Sequence, residues 1–263
     1  MSASGQFRGR LRAEFHGRRH AMAAAGRITA QALAAAREAA SVGVTLLELD
    51  AVAAEVISAA GASALFLNYR PATASTPFPG AICASVNDAV VHGIPNEYRL
   101  RDGDLVSIDC GARLDGWCGD SAISFTVGRG SSEDQALIDA TDEALARGIA
   151  AAQPGNRLGD IGAAIGQYAR GLGYGMLADH GGHGIGREMH EGPDVPNEGR
   201  AGKGFRLRPG LVIAIEPMLI ADGTDDYRHD ADGWTLRTVS GARAAHSEHT
   251  VAITEDGPVI MTR

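Results

Sequence analysis

The sequence predicts an α+β fold, with helices covering an antiparallel sheet. Three observations lead there. Two pairs of helix-patterned stretches each precede a group of short β-patterned runs, polar or glycine-containing turns separate those runs, and the second half of the chain repeats motifs of the first.

In order, residues 8–40 lack proline, are dominated by alanine and arginine, and space their larger apolar residues as a long helix does. Thr45 with Glu48 three residues on is a capping-box pattern that opens a second helix, and Gly61 ends it. A proline-punctuated loop occupies 69–80. Strand-like runs at 81–86, 105–111 and 122–127 read as an antiparallel meander. Helical patterns return at 133–152 and 157–171, and the glycine- and charge-rich stretches 197–208 and 222–233 read as surface connections.

Composition narrows the class. The 263 residues carry a formal charge of −8, and the 35 glycines show no collagen-like period. With 44% hydrophobic residues the chain is folded rather than disordered. An acidic balance argues against nucleic acid or an anionic membrane as partner and suits a site for cations. The three cysteines form no C-x-x-C pair and fit a reducing compartment. No signal-like or membrane-length apolar run is present, so a soluble, cytoplasmic protein is expected.

The repeat carries the chemistry. An offset of 112 lays Gly155, Leu158, Ala163 and Gly173 on Gly43, Leu46, Ala51 and Gly61. Residues 101–109 align without gaps on 208–216, two strands ending in Asp109 and Glu216. His92-Gly93-Ile94 precedes the first and His183-Gly184-Ile185 the second, while Asp120 is echoed by Glu248. Each half thus supplies a histidine and then two acids. Two similar halves, about 11–130 and 131–263, are expected to pack about a pseudo-twofold as one catalytic domain spanning 1–263, behind a short extension at 1–10. Acids on half-buried strands are costly without partners, and two divalent cations would neutralise four carboxylates. Oxygen ligands with one or two imidazoles suit Mn, Fe(II), Co or Zn.

These motifs, His92-Gly93-Ile94-Pro95, Ser107-Ile108-Asp109, Gly119-Asp120-Ser121, Gly182-His183-Gly184-Ile185-Gly186-Arg187, Ile215-Glu216-Pro217-Met218 and Glu248-His249-Thr250, resemble those of the type I methionine aminopeptidases, which have the pita-bread fold. The resemblance runs from about Arg12 to the C-terminus, and the spacing between His183, Glu216 and Glu248 leaves no room for the helical insertion of type II enzymes. It implies removal of the initiator methionine from nascent polypeptides when the second residue is small. It implies Asp109, Asp120, His183, Glu216 and Glu248 as ligands of two divalent ions, with Asp120 and Glu248 bridging. A water between the ions would become the hydroxide that attacks the first peptide bond, with Glu216 taking its proton. His190 would donate to the carbonyl oxygen and His92 would meet the scissile amide. The resemblance further implies nascent N-termini as partners, proximity to the ribosome, and a monovalent cation on the carbonyls of Asn87 and Ala89; the sequence carries no oligomer signal, so a monomer is the default expectation.

The methionine pocket is expected from Cys83, Phe78, Tyr69 and Trp234, with Met189 where the family commonly has an aromatic. The 69–78 segment is longer than the common bacterial pattern. Cys83 is read as pocket wall rather than nucleophile. A lone loop histidine is more often structural or solvated, and His16, His20, His180, His229, His246 and His249 are read so. The rivals are a fold relative cleaving Xaa-Pro bonds, a two-metal phosphoesterase, and a binding module without catalysis, which should have lost ligands that are all present here.

Overall fold

A computed structural model describes residues 3–72 and 74–263, with side chains from residue 17 onward. His16 and the first two residues of the expected extension therefore lie outside the described parts. The chain runs α1 (Ala3–Ala39), α2 (Leu46–Ala59), β1 (Ser63–Ala64), β2 (Ile82–Val86), β3 (Ala89–Val91), β4 (Leu105–Leu114), β5 (Trp117–Thr126), α3 (Ser132–Ala151) and α4 (Leu158–Gly171). It continues as β6 (Gly175–Met176), β7 (Gly181–Gly184), β8 (Glu191–Pro196), β9 (Val212–Ile215), β10 (Met218–Ile220), β11 (Tyr227–His229), β12 (Leu236–Thr238), β13 (Ala244–His246), β14 (Glu248–Thr254) and β15 (Gly257–Ile260).

The four helices fall where the sequence puts them, α1 starting a turn earlier than expected. Thr45 caps α2 as predicted, its hydroxyl accepting from the Glu48 amide at 3.1 Å while Glu48 reaches back to the Thr45 amide at 2.7 Å. Past the helix end, Gly61 takes φ +72°, a left-handed conformation that costs glycine nothing. One expectation fails. The stretch 222–233 is not wholly a connection, because β11 forms within it and pairs with β12, which in turn pairs with β3.

The main sheet follows the path β1-β4-β5-β14-β9-β7-β8, with β2 on β4 and β15 on β14. Every pairing in it is antiparallel. A two-residue Asp115-Gly116 turn with φ +51° and +74° joins β4 to β5, the left-handed pair that matches strand twist in a hairpin. The strands of the first and second halves meet where β5 pairs with β14.

Each helix pair covers its own half. Ala32, Leu33, Leu49, Ala53 and Ile57 of α1 and α2 pack on Ile82, Val106 and Ile108. Leu137, Leu145, Ile161 and Ile165 of α3 and α4 pack on Ile213, Ile215 and Val251. Each such large side chain contributes about 1.5–3 kcal/mol by leaving water. At the seam α1 lies backbone to backbone on β5: a Cβ at Gly119 would stand 2.7 Å from the Gly26 nitrogen. That contact closes the back of the sheet beside Asp120. Among the described residues no helix is long and apolar enough to cross a membrane.

Candidate metal centre

Register alone places most of the site. Cys83 on β2 faces Asp109 on β4, Asp109 faces Ala122 on β5, and Ala122 faces Glu248 on β14. Asp120 sits two residues before Ala122 and so shares its face. Across β14, His249 pairs with Ile215, which puts Glu216 one step beyond β9, opposite Glu248. Gly184 pairs with Ile213, so His183 lies on the face of Ala214 and Glu216. Five side chains spread along the sequence from Asp109 to Glu248 converge on one sheet face.

Their environment is dry. Asp120, Glu248 and His183 are 3%, 2% and 8% exposed. Asp109 Oδ1, Asp120 Oδ1 and Glu248 Oε1 are sealed from solvent without a hydrogen-bond donor. Oxygens in that position cost about 1–3 kcal/mol each and more when charged, so the donor set fits cations. Ligand atoms of Asp120, His183 and Glu248 lie within 4.8 Å of one another, as do those of Glu216, His246 and Glu248. Burial, then mutual repulsion, pushes Asp109, Asp120 and Glu248 well above the usual carboxylate range. Glu216 moves the other way: burial opposes its charge, but His246, His183 and His92 outweigh that and hold it below the ordinary value. These two directions describe one cluster that is short of positive charge everywhere except around Glu216.

His183 directs its Nδ1 to the Gly184 carbonyl at 2.9 Å, which leaves Nε2 for the site, 3.6 Å from Glu216 Oε1. Glycine is needed here: a Cβ at Gly182 would stand 2.1 Å from the Ala214 carbonyl oxygen, so the strand carrying His183 could not approach β9. The His190 ring lies 4.2 Å from that of His183, a convergence the seven-residue spacing alone does not explain. His92 stands at φ +58°, uncommon for a residue with a Cβ, at the cavity wall. Burial lowers His92 to about 4, so it is a neutral imidazole at pH 7, and desolvation and then the neighbouring His183 also lower the more open His190.

The cavity over this face holds about 890 Å³. Tyr69, Phe78, Cys83, Met189 and Trp234 come together in one cluster on its wall, joined by Phe66, which the sequence reading did not include. Phe78 and Trp234 meet edge to face at 5.2 Å, and Trp234 Nε1 donates to the Thr76 carbonyl at 3.2 Å, fastening the long 69–78 loop. Burial, and then Asp109, pushes the Cys83 thiol well up, so it stays protonated. The Asn87 carbonyl accepts from the Ala244 amide at 3.0 Å.

Two histidines read as structural or solvated lie against the candidate site. His246 is 2% exposed with Nε2 3.5 Å from Glu216 Oε2. His180 lines the cavity, its ring 6.4 Å from that of His92. Position in sequence offered one signal for His246, two residues before Glu248 and thus on the adjoining strand. His20 and His229 are exposed, and His249 is structural, its Nδ1 2.8 Å from Thr262 Oγ1 near the C-terminus. Asn197, within an expected surface connection, is buried and donates to the Glu216 carbonyl at 2.9 Å.

A curled antiparallel sheet under two helix pairs, with buried acids and histidines on its inner face, is the frame of a metallopeptidase, and residues 20–255 match the model of metallopeptidase family M24. The chain belongs to that family. A methionine aminopeptidase 1 of Mycobacterium tuberculosis is 52% identical over 249 residues, 92% of this chain and 91% of that protein. The crystal structure of methionine aminopeptidase from Rickettsia prowazekii superposes with a TM-score of 0.88 at 39% identity, covering 92% of this chain and 95% of that one. The prolidase from Pyrococcus horikoshii shares the fold alone, with a TM-score of 0.74 at 23% identity over 94% of this chain and 62% of that one. The resemblance drawn from the motifs and the pita-bread expectation both stand.

Proposed function

We propose that the chain removes the N-terminal methionine of newly made polypeptides whose second residue is small, in the cytoplasm. It would work as a single catalytic domain built from the two repeat-related halves. The observation that carries this reading is the set of orphaned, sealed carboxylate oxygens on the floor of a cavity whose wall is an apolar cluster. Asp109, Asp120, His183, Glu216 and Glu248 would hold two divalent ions, drawn from Co, Mn, Fe(II) and Zn. When bound, such ions supply Lewis acidity, acidifying a water and polarising the peptide carbonyl.

The protein's own groups do the rest. Tyr69, Phe78, Cys83, Met189 and Trp234 enclose an unbranched apolar side chain and exclude water from it. Glu216, held ionised by its histidine neighbours, accepts a proton on its carboxylate. His190 donates to the carbonyl oxygen as charge develops there, and neutral His92 meets the scissile amide without adding charge that would oppose the cations. His246 keeps Glu216 oriented from the side away from His183.

The test is hydrolysis of Met-Ala-Ser by metal-stripped protein reconstituted with Co, Mn or Fe(II), beside Asp109→Ala. Methionine release by the wild type and a loss on the order of 100-fold or more in the variant are expected. No release by any reconstituted wild type, or identical behaviour of the two proteins, overturns the reading.

A further inference from the structure

The hydrogen bond between Tyr69 Oη and His190 Nδ1, 2.8 Å, lies at the mouth of the site and has a chemical consequence. A phenol O–H is a stronger acid than a neutral imidazole N–H, and an imidazole nitrogen is a stronger base than a phenol oxygen. The favoured pair is therefore O–H···N, with Tyr69 donating and Nδ1 accepting. A neutral imidazole has one proton, so it must then sit on Nε2. Nε2 has no protein partner among the described residues, and His190 lines the cavity.

We infer that Tyr69 is a positioning residue that locks His190 in the Nε2–H tautomer. The lock does two things. It turns Nε2 into a donor, as the reaction proposed above requires of His190. It also denies a lone pair to the cavity from a ring only 4.2 Å from His183, where a second free imidazole nitrogen would compete as a ligand for a divalent ion.

Tyr69 is placed well for such a task. Its amide donates to the Phe66 carbonyl at 2.9 Å and its carbonyl accepts from the Phe78 amide at 2.9 Å, while the Asn68 amide donates to the Phe78 carbonyl at 2.8 Å. These bonds cross-tie the two ends of the long loop directly at Tyr69. The ring packs in the same apolar cluster as Met189, the neighbour of His190. Tyr69 is thus held from its backbone and His190 beside it through the packing of Met189, and only the proton is left to choose.

Tyr69→Phe removes the donor and keeps the ring. In protein labelled with ¹⁵N-histidine and loaded with diamagnetic zinc, His190 is assigned by the signals lost in His190→Gln. The wild type should show Nδ1 unprotonated and Nε2 protonated, and Tyr69→Phe should show the two signals drawn together as tautomers mix. On Met-Ala-Ser, Tyr69→Phe should lower kcat on the order of ten-fold with KM within about two-fold, and should cause no further loss in a His190→Ala background. A wild-type spectrum with Nδ1 protonated overturns the inference. So does a Tyr69→Phe loss of equal size with and without His190, because Tyr69 would then act only through the pocket. The spectrum needs no turnover: failure of the wild type to cleave Met-Ala-Ser would count against the proposed reaction, whereas the tautomer is decided by the ¹⁵N signals.

Discussion

Asp109→Asn should make the metal-free protein more stable while destroying what metal does for it. In the native fold Asp109 Oδ1, Asp120 Oδ1 and Glu248 Oε1 are buried without donors. An asparagine at 109 removes one charge and brings an N–H₂ group next to carboxylates that lack a donor. A hydrogen bond to a charged acceptor contributes about 1.5–3 kcal/mol. At roughly 2–4 °C per kcal/mol for a chain of this size, Tm in EDTA should rise by about 3–12 °C. Linkage gives the pH signature. Asp109, Asp120 and Glu248 all bind their protons more tightly folded than unfolded. Between the unfolded carboxylate value of about 4 and the higher folded values, the native state holds more protons, so metal-free stability falls as pH rises through that window. The variant, with one such acid fewer, should fall less. Adding Mn at a hundred times its dissociation constant should stabilise the wild type by about 2.7 kcal/mol and the variant by much less. Scanning calorimetry with and without EDTA at pH 5 and 7.5 measures all of this. A metal-free Asp109→Asn that melts below the wild type, or one that gains as much from Mn, would refute the account of these acids as a cation site held at a cost to the fold.

Two further outcomes follow from neighbouring geometry. His246→Ala should lower metal affinity or kcat by about 10–100-fold and, because His246 helps hold Glu216 below its ordinary value, should move the acid limb of the kcat/KM profile to higher pH. An acid limb that stays in place would show that His246 does not act on Glu216. Gly182→Ala must push apart β7 and β9, since its Cβ would stand 2.1 Å from the Ala214 carbonyl oxygen; a lower Tm and weaker metal binding through displaced His183 are expected in thermal melts and titrations. Unchanged metal affinity would place His183 outside the ligand set.

Local physics made much of this protein legible. The capping box at Thr45 and Glu48, and the strand runs that carry Asp109 and lead to Glu216, depend on residues within a few positions of one another. The correspondence between the two halves added the pairing of acids, because each half carries its own histidine and carboxylates. From the sequence pattern came the α+β class and the four helices, and from the motif resemblance the five residues that register brings to one face.

Tertiary structure decided the rest. His246 reads as a bare loop histidine until β13 lies against the site, and Asn197 reads as part of a surface stretch until its amide meets Glu216. Nothing within a few residues of Tyr69 announces His190, which is 121 positions away. The orientation of Glu216 and the seal around three carboxylate oxygens arise from pairings between distant strands, and the hydrogen-bond partner of His190 from a loop laid beside them. Strand pairing is non-local, and a side chain's protonation and partners are set by whatever the fold places beside it. The sequence determined which groups could do chemistry, and only the folded sheet determined which of them share one dry face.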